Sequence, residues 1–214
     1  MNSVFFIFEI IGVIAFALSG ATVAIKSKMD IFGVATLGLT TAVGGGVIRD
    51  LLLGVSPPSM LSNPLPALLA IFVSIITFLP FLQRLIFEKN KLTAHLILFA
   101  DSIGLGVFTI IGVNTVFTSV ESPNIFICAI LGVITGVGGG VLRDVMSKNK
   151  PYIFVKHFYA SASLIGAIVY SLIHPYFNPI ISSLICIVLI IILRMLAARY
   201  HWKLPKANYT NHNG

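Results

Sequence analysis

Seven long apolar runs alternate with short polar joints along the chain, at about 4–25, 31–53, 64–82, 92–113, 125–146, 152–173 and 179–198. Each has close to the roughly 20 residues a helix needs to cross a bilayer core. The runs are continuously apolar and lack the two-residue alternation of a membrane β-barrel strand. The joints carry turn residues or charge: Lys26-Ser27-Lys28-Met29-Asp30, Ser56-Pro57-Pro58, Glu88-Lys89-Asn90-Lys91, Glu121-Ser122-Pro123-Asn124, Lys148-Asn149-Lys150-Pro151 and His174-Pro175. None is long enough to hold a soluble domain. The pattern predicts an all-α polytopic membrane protein.

Composition agrees. Hydrophobic residues make up 57% of the 214 and charged residues 10%, too few polar groups to cover a soluble globule. A cytosolic enzyme, a disordered chain and a secreted disulfide scaffold are excluded. The net charge of +7 first suggests nucleic acid, but its distribution gives another reading. With seven spans, 13 of the 14 basic residues fall on one side: Lys26, Lys28, Arg84, Lys89, Lys91, Arg143, Lys148, Lys150, Lys156, Arg194, Arg199, Lys203 and Lys206. Only Arg49 lies toward the other. The positive-inside rule then predicts an outside N-terminus and a cytoplasmic C-terminus, with no nucleic-acid partner. Ala15-Phe16-Ala17 resembles a signal-peptide cleavage pattern, but no basic residue precedes the apolar run. The first run is therefore expected to stay as a span.

The chain repeats itself. Gly38–Asp50 matches Gly132–Asp144 at nine of 13 positions, at an offset of 94, and Pro57 and Pro151 keep that offset. Glu9, Gly12, Phe16 and Gly20 match Asp101, Gly104, Phe108 and Gly112 at an offset of 92. The expected domains are a first three-helix repeat at 3–83, a second at 92–174, a seventh helix at 178–198 and a tail at 199–214. Three spans per repeat is odd, so the halves cross the membrane in opposite directions. Such inverted repeats build pathways in transporters and channels.

The repeated block carries costly residues. Gly44-Gly45-Gly46 and Gly138-Gly139-Gly140 lie inside the second and fifth spans, where each glycine costs up to about 1 kcal/mol relative to alanine. Three in a row are expected to kink or unwind the helix, offering backbone dipoles to an ion. Close helix packing is the competing explanation, and both can hold. Arg49-Asp50 and Arg143-Asp144 follow the triplets. With Glu9 and Asp101 they are the charged pore or gate candidates, and the repeat suggests the pairs Glu9–Arg49 and Asp101–Arg143. Interfacial snorkelling is the alternative for the arginines. Thr22, Thr40, Thr41, Asn114, Thr115 and Thr135 are weaker lining candidates, since helical threonines often bond their own backbone. The five histidines show no metal-ligand spacing, Cys128 and Cys186 imply no disulfide, and Gly136-x-Gly138 lacks the Gly-Lys-Ser/Thr of a phosphate loop.

At the doubled Gly-Gly-Gly-Val-Ile/Leu-Arg-Asp block, with Glu9/Asp101 and Pro57/Pro151 around it, the chain resembles prokaryotic members of the trimeric intracellular cation (TRIC) channel family. Bacterial members are also described as carrying two glycine-transporter domains. The resemblance spans residues 3–198. It implies seven transmembrane helices, a homotrimer with a pore in each protomer, and glycine triplets that bend the second and fifth helices around that pore. Animal relatives conduct potassium and other monovalent cations; the long polar tail typical of them is missing here. A potassium-permeable channel of the prokaryotic inner membrane is therefore expected, with sodium a further candidate ion, bound lipid a candidate partner, and no cofactor or resident metal. A secondary transporter of glycine or another small zwitterion is the alternative. No nucleophile–base or metal set supports an enzyme.

Overall fold

The structure, a computed structural model, describes residues 3–87, 90–151, 153 and 158–202. The helices are α1 (Ser3–Lys26), α2 (Ile31–Leu52), α3 (Ser59–Ser62), α4 (Leu65–Phe78), α5 (Pro80–Phe87), α6 (Asn90–Ser119), α7 (Ile125–Met146), α8 (Tyr159–Ile173) and α9 (Pro179–Arg199). Among them α1, α2, α6, α7 and α9 contain stretches long and apolar enough to cross a membrane, while α4 and α8 are shorter apolar helices. Large apolar side chains face outward, among them Ile7, Ile11 and Ile14 on α1 and Ile181, Ile185 and Val188 on α9. Such a surface suits lipid rather than water.

Two of the expected runs differ in detail. The run at 64–82 is interrupted: α4 ends at Phe78, Leu79 is extended (φ −62°, ψ 138°), and α5 starts at Pro80. Proline lacks the N–H that would continue the ladder and disfavours helical geometry in the residue before it. The 14 residues of α4 span about 21 Å. The fourth expected run, in α6, goes on to Ser119, past the expected end at 113. Of the run at 152–173, residues 152 and 154–157 lie outside the described residues, as does the expected tail beyond Trp202.

The helices pack in mirrored fashion. In the first half, α1, α2 and α4 contact one another; in the second, α6, α7 and α8 do the same. Between the halves, α1 packs on α6 and α2 on α7. The seventh long element, α9, packs on α6 and α8. Phe16 and Phe108, equivalent by the repeat, stack across the α1–α6 contact with ring centroids 5.3 Å apart. Beside them, a Cβ on Gly12 would press on Val107 and Phe108, and one on Gly104 on the ring of Phe16.

Helix ends repeat as faithfully as the spans. Asp30 caps α2 by accepting from the Gly33 amide at 2.7 Å, and Asn124 caps α7 by accepting from Ile127 at 2.9 Å. Past α2, the Val55 amide donates to the Asp50 carbonyl and the Gly54 amide to Leu51; past α7, Asn149 donates to Asp144 and Lys148 to Val145. Both endings are Schellman motifs, which need a left-handed residue. Gly54 supplies it in the first half (φ 71°), whereas Lys148 must adopt it in the second (φ 57°). A non-glycine residue there costs ~1–2 kcal/mol, partly offset by glycine's larger entropy loss on folding. Lys148→Gly is therefore expected to gain up to about 1 kcal/mol, read as a rise of a few degrees in the unfolding midpoint in detergent. An unchanged or lower midpoint would mean that the lysine side chain earns back the strain.

Candidate ion pathway

The two glycine triplets meet at the crossing of α2 and α7. A Cβ on Gly45 would collide with the Thr135 carbonyl oxygen, and one on Gly139 with that of Thr41. A Cβ on Gly44 would come 2.5 Å from Leu142, and one on Gly138 3.1 Å from the Gly45 Cα and 3.5 Å from Ile48. The exchange 41↔135, 45↔139, 48↔142 maps these contacts onto each other, as a two-fold arrangement requires. Of the expected kink or unwinding at the triplets, the unwinding is corrected: α2 and α7 remain helical through Gly44–Gly46 and Gly138–Gly140. Removing three side chains lets one backbone lie directly on another, which compensates for the poor helix propensity. The threonines Thr22, Thr41, Thr115 and Thr135 donate to carbonyls four residues back, at 2.6–2.8 Å, and so stay within their own helices. No such bond is present for Thr40 among the described residues, and Asn114 accepts from the Tyr170 hydroxyl at 3.4 Å.

The charged residues gather at opposite ends of this crossing. At the end of α7, Arg143 Nη1 donates to Asp101 at 2.5 Å and to the Ser19 hydroxyl at 2.7 Å, while Nε donates to Asp144 at 2.9 Å. Arg143 and Asp101 are fully buried. One guanidinium thereby ties α7 to α6 in its own half and to α1 in the other. The expected Asp101–Arg143 pair is present, and snorkelling is not what this arginine does. Tyr159, buried on α8, lies beside this group, and the Arg194 guanidinium of α9 sits 4.6 Å above its ring. Two carboxylates and two guanidiniums leave the cluster formally neutral, which limits the cost of burying it.

At the end of α2 the arrangement differs. Arg49 donates through Nε and Nη2 to Asp50, at 2.8 and 2.6 Å. The other Asp50 oxygen accepts from the Ser59 amide at 2.8 Å and from the Ser59 hydroxyl. The expected Glu9–Arg49 pair is corrected: no such ion pair is present among the described residues. Asp144 grips Arg143 as Asp50 grips Arg49, yet Asp101 still binds Arg143, so the difference lies in the surroundings: Ser19, which also accepts from Arg143, has the apolar Ile111 as its equivalent. Glu9 is half-buried and within electrostatic reach of Arg49 and Asp50.

Sequence reasoning missed three members of the buried cluster. Ser19 and Tyr159 look like ordinary helix residues. Arg194 was counted among the basic residues of the cytoplasmic side, yet it and Arg143 are buried. A signal existed for Arg194, which lies five residues inside the end of an otherwise apolar α9. His174, just past α8, stacks on Phe117 with ring centroids 4.1 Å apart, and this cover pushes its pKa below the usual imidazole value. Among the described residues no group of His, Cys, Asp and Glu could hold a metal, and His157 and His212 lie outside them.

Known proteins share this architecture. A family model described as Glycine transporter matches residues 6–81 and again 98–175. The inner membrane protein YadS of Escherichia coli is 38% identical over 199 residues, covering 92% of this chain and 93% of YadS. A TRIC cation channel solved in work on conductance superposes with a TM-score of 0.83 at 37% identity, covering 95% of this chain and 97% of that one. A prokaryotic TRIC channel crystallised in 0.5 M KCl gives 0.86 at 31% identity, covering 95% and 100%. With both halves matched and the whole fold shared, the chain belongs to the Glycine transporter family, the family of the prokaryotic TRIC channels.

Proposed function

We propose that the chain is a cation channel of the inner membrane, permeable to potassium, with a pore in each protomer between two inverted three-helix repeats. The observation that carries this reading is its likeness, over 95% of its length, to solved TRIC cation channels. The repeats are 3–83 and 92–174; with the helix at 178–198 they make seven spans, counting the α4–α5 and α8 segments as the third and sixth. Support comes from the mirrored contacts of α1 with α6 and α2 with α7. The N-terminus is outside and the C-terminus cytoplasmic, from the lysine and arginine distribution. The protein works as a homotrimer, as the name of a solved Rhodobacter sphaeroides orthologue at 27% identity states for that protein. Lipid is its other partner.

In this reading the pathway is closed. The α2–α7 crossing at Gly44–Gly46 and Gly138–Gly140 is the constriction, because backbones in contact leave no room for an ion. The Arg143–Asp101–Asp144 cluster seals the cytoplasmic mouth, and opening separates Arg143 from Ser19. Arg49 and Asp50 frame the outer mouth. The protein is not an enzyme; its solved relatives are channels. The family description favours one alternative, a transporter of glycine or another small zwitterion. Planar-bilayer recording of the purified protein in potassium salts separates the two. Resolved unitary currents are expected, since ions then pass far faster than one conformational cycle per turnover allows. Silent bilayers together with saturable glycine uptake into liposomes would replace the channel by the transporter.

A further inference from the structure

Glu9 and Asp101 occupy equivalent positions in the two halves, but their surroundings are unequal. Asp101 is fully buried and bound by Arg143 at 2.5 Å. Glu9 is half-buried and has no hydrogen bond or ion pair among the described residues. Its nearest arginine, Arg49, is held by Asp50. Two substitutions along the repeat, and one residue outside it, accompany the difference. Ser19, which binds Arg143, corresponds at the offset of 92 to Ile111, and Tyr159 corresponds at the offset of 94 to Leu65. Arg194 has no counterpart, because α9, which packs on α6 and α8, lies outside the repeat.

The space itself differs as well. A Cβ on Gly140 would come 2.8 Å from the Tyr159 hydroxyl, whereas one on the equivalent Gly46 meets nothing nearer than Arg49 Nη2 at 3.9 Å. The space beside Gly46 is therefore open, and Gly46 half-exposed, where Tyr159 closes the space beside the buried Gly140. Glu9 shares a helix face with Gly12 and Phe16, which pack on Phe108 of α6, so it faces the contact between the halves rather than lipid. An intramembrane carboxylate without a partner needs water.

We propose that Glu9 lines a water-filled vestibule open to the N-terminal face, and that it is the carboxylate that concentrates cations over anions at that mouth. Asp101 is withdrawn from this role by Arg143. Arg49 and Asp50, the charges facing Glu9 from α2, are paired with each other and sum to zero, so the three groups together carry one net negative charge. The selectivity role rests on the channel reading; the open vestibule does not.

Two measurements test it. In bilayers under a KCl gradient, Glu9→Gln is expected to move the reversal potential toward zero and lower unitary potassium conductance several-fold at low salt. The conductance loss fades near 1 M salt, where the Debye length is about 3 Å, and Glu9→Asp keeps wild-type values. Wild-type reversal potential and low-salt conductance in Glu9→Gln would overturn the selectivity role. The second readout needs no current. In sealed liposomes, Glu9→Cys is expected to react with an impermeant cationic methanethiosulfonate, while the wild type, whose Cys128 and Cys186 are buried, does not. A Glu9→Cys protein that is monodisperse yet unreactive would overturn the vestibule. Reactive Glu9→Cys with a wild type that carries no unitary current would overturn the channel reading and the selectivity role, and leave the vestibule standing.

Discussion

Alanine at Gly45 or at Gly139 is expected to destabilise the protein by about 2–3 kcal/mol, while alanine at Gly46, one residue along, is neutral or stabilising by up to about 1 kcal/mol. The contrast isolates packing from helix propensity, which favours alanine equally at all three positions. The added methyl at Gly45 runs into the Thr135 carbonyl and at Gly139 into the Thr41 carbonyl, both backbone atoms that no rotamer change can move. The helices must separate, and the contacts of Gly44 with Leu142 and of Gly138 with Gly45 and Ile48 loosen with them. Gly46 has room for the methyl. The double variant is expected to cost less than the sum of the singles, because the first methyl has already opened the gap the second needs. Thermal unfolding in detergent, with size-exclusion profiles as a check on folding, measures all four proteins. Equal midpoints for Gly45→Ala and Gly46→Ala would mean that the triplet serves helix flexibility rather than contact.

The glycine case also marks how far the sequence could be read. The all-helical membrane fold and the doubled block were legible because burial in lipid and repetition are both written along one dimension. The Asp101–Arg143 pair was legible because a lone intramembrane carboxylate needs a partner and the repeat supplied only one arginine in range. The Glu9–Arg49 pair followed from the same symmetry and did not form. The adjacent carboxylate does not decide it, since Arg143 holds Asp144 as Arg49 holds Asp50; the surroundings do, and Ser59, which anchors Asp50, takes its place from the loop fold. Helix continuity through the triplets was not legible either. Propensity argues for a break, and only the opposing helix, brought up by tertiary packing, compensates for it. Pro80 was visible as a breaker, yet an apolar run on both sides of it masked the interruption. Tyr159, Ser19 and Arg194 come from three helices distant in sequence, and no spacing rule connects them.

Removing Arg143 is expected to do the most damage of any single charge change. Arg143→Met leaves Asp101 and Asp144 buried without the guanidinium that bridges them, and stranding a buried charge in this way costs about 3–5 kcal/mol. Asp101→Asn is expected to be milder, since Arg143 keeps Asp144 and Ser19 and the asparagine oxygen can still accept from it. Combining the two removes one charge of each sign and is expected to recover part of the loss, with a coupling energy of at least about 1 kcal/mol. Arg49→Met is the control. Asp50 would keep both donors of Ser59, and its site is less deeply covered, so the cost is expected to be smaller. Midpoints of thermal or denaturant unfolding for the four variants decide the order. An Arg143→Met protein as stable as Arg49→Met would mean that water reaches the Asp101 cluster, and the cytoplasmic seal would then be no seal. The same set carries a functional consequence. If separation of Arg143 from Ser19 opens the pathway, a folded Asp101→Asn channel spends more time open than the wild type, because one of the ties holding the guanidinium in place is weakened. Single-channel open probability reads this directly, and an unchanged value would separate the stability of the cluster from control of the mouth.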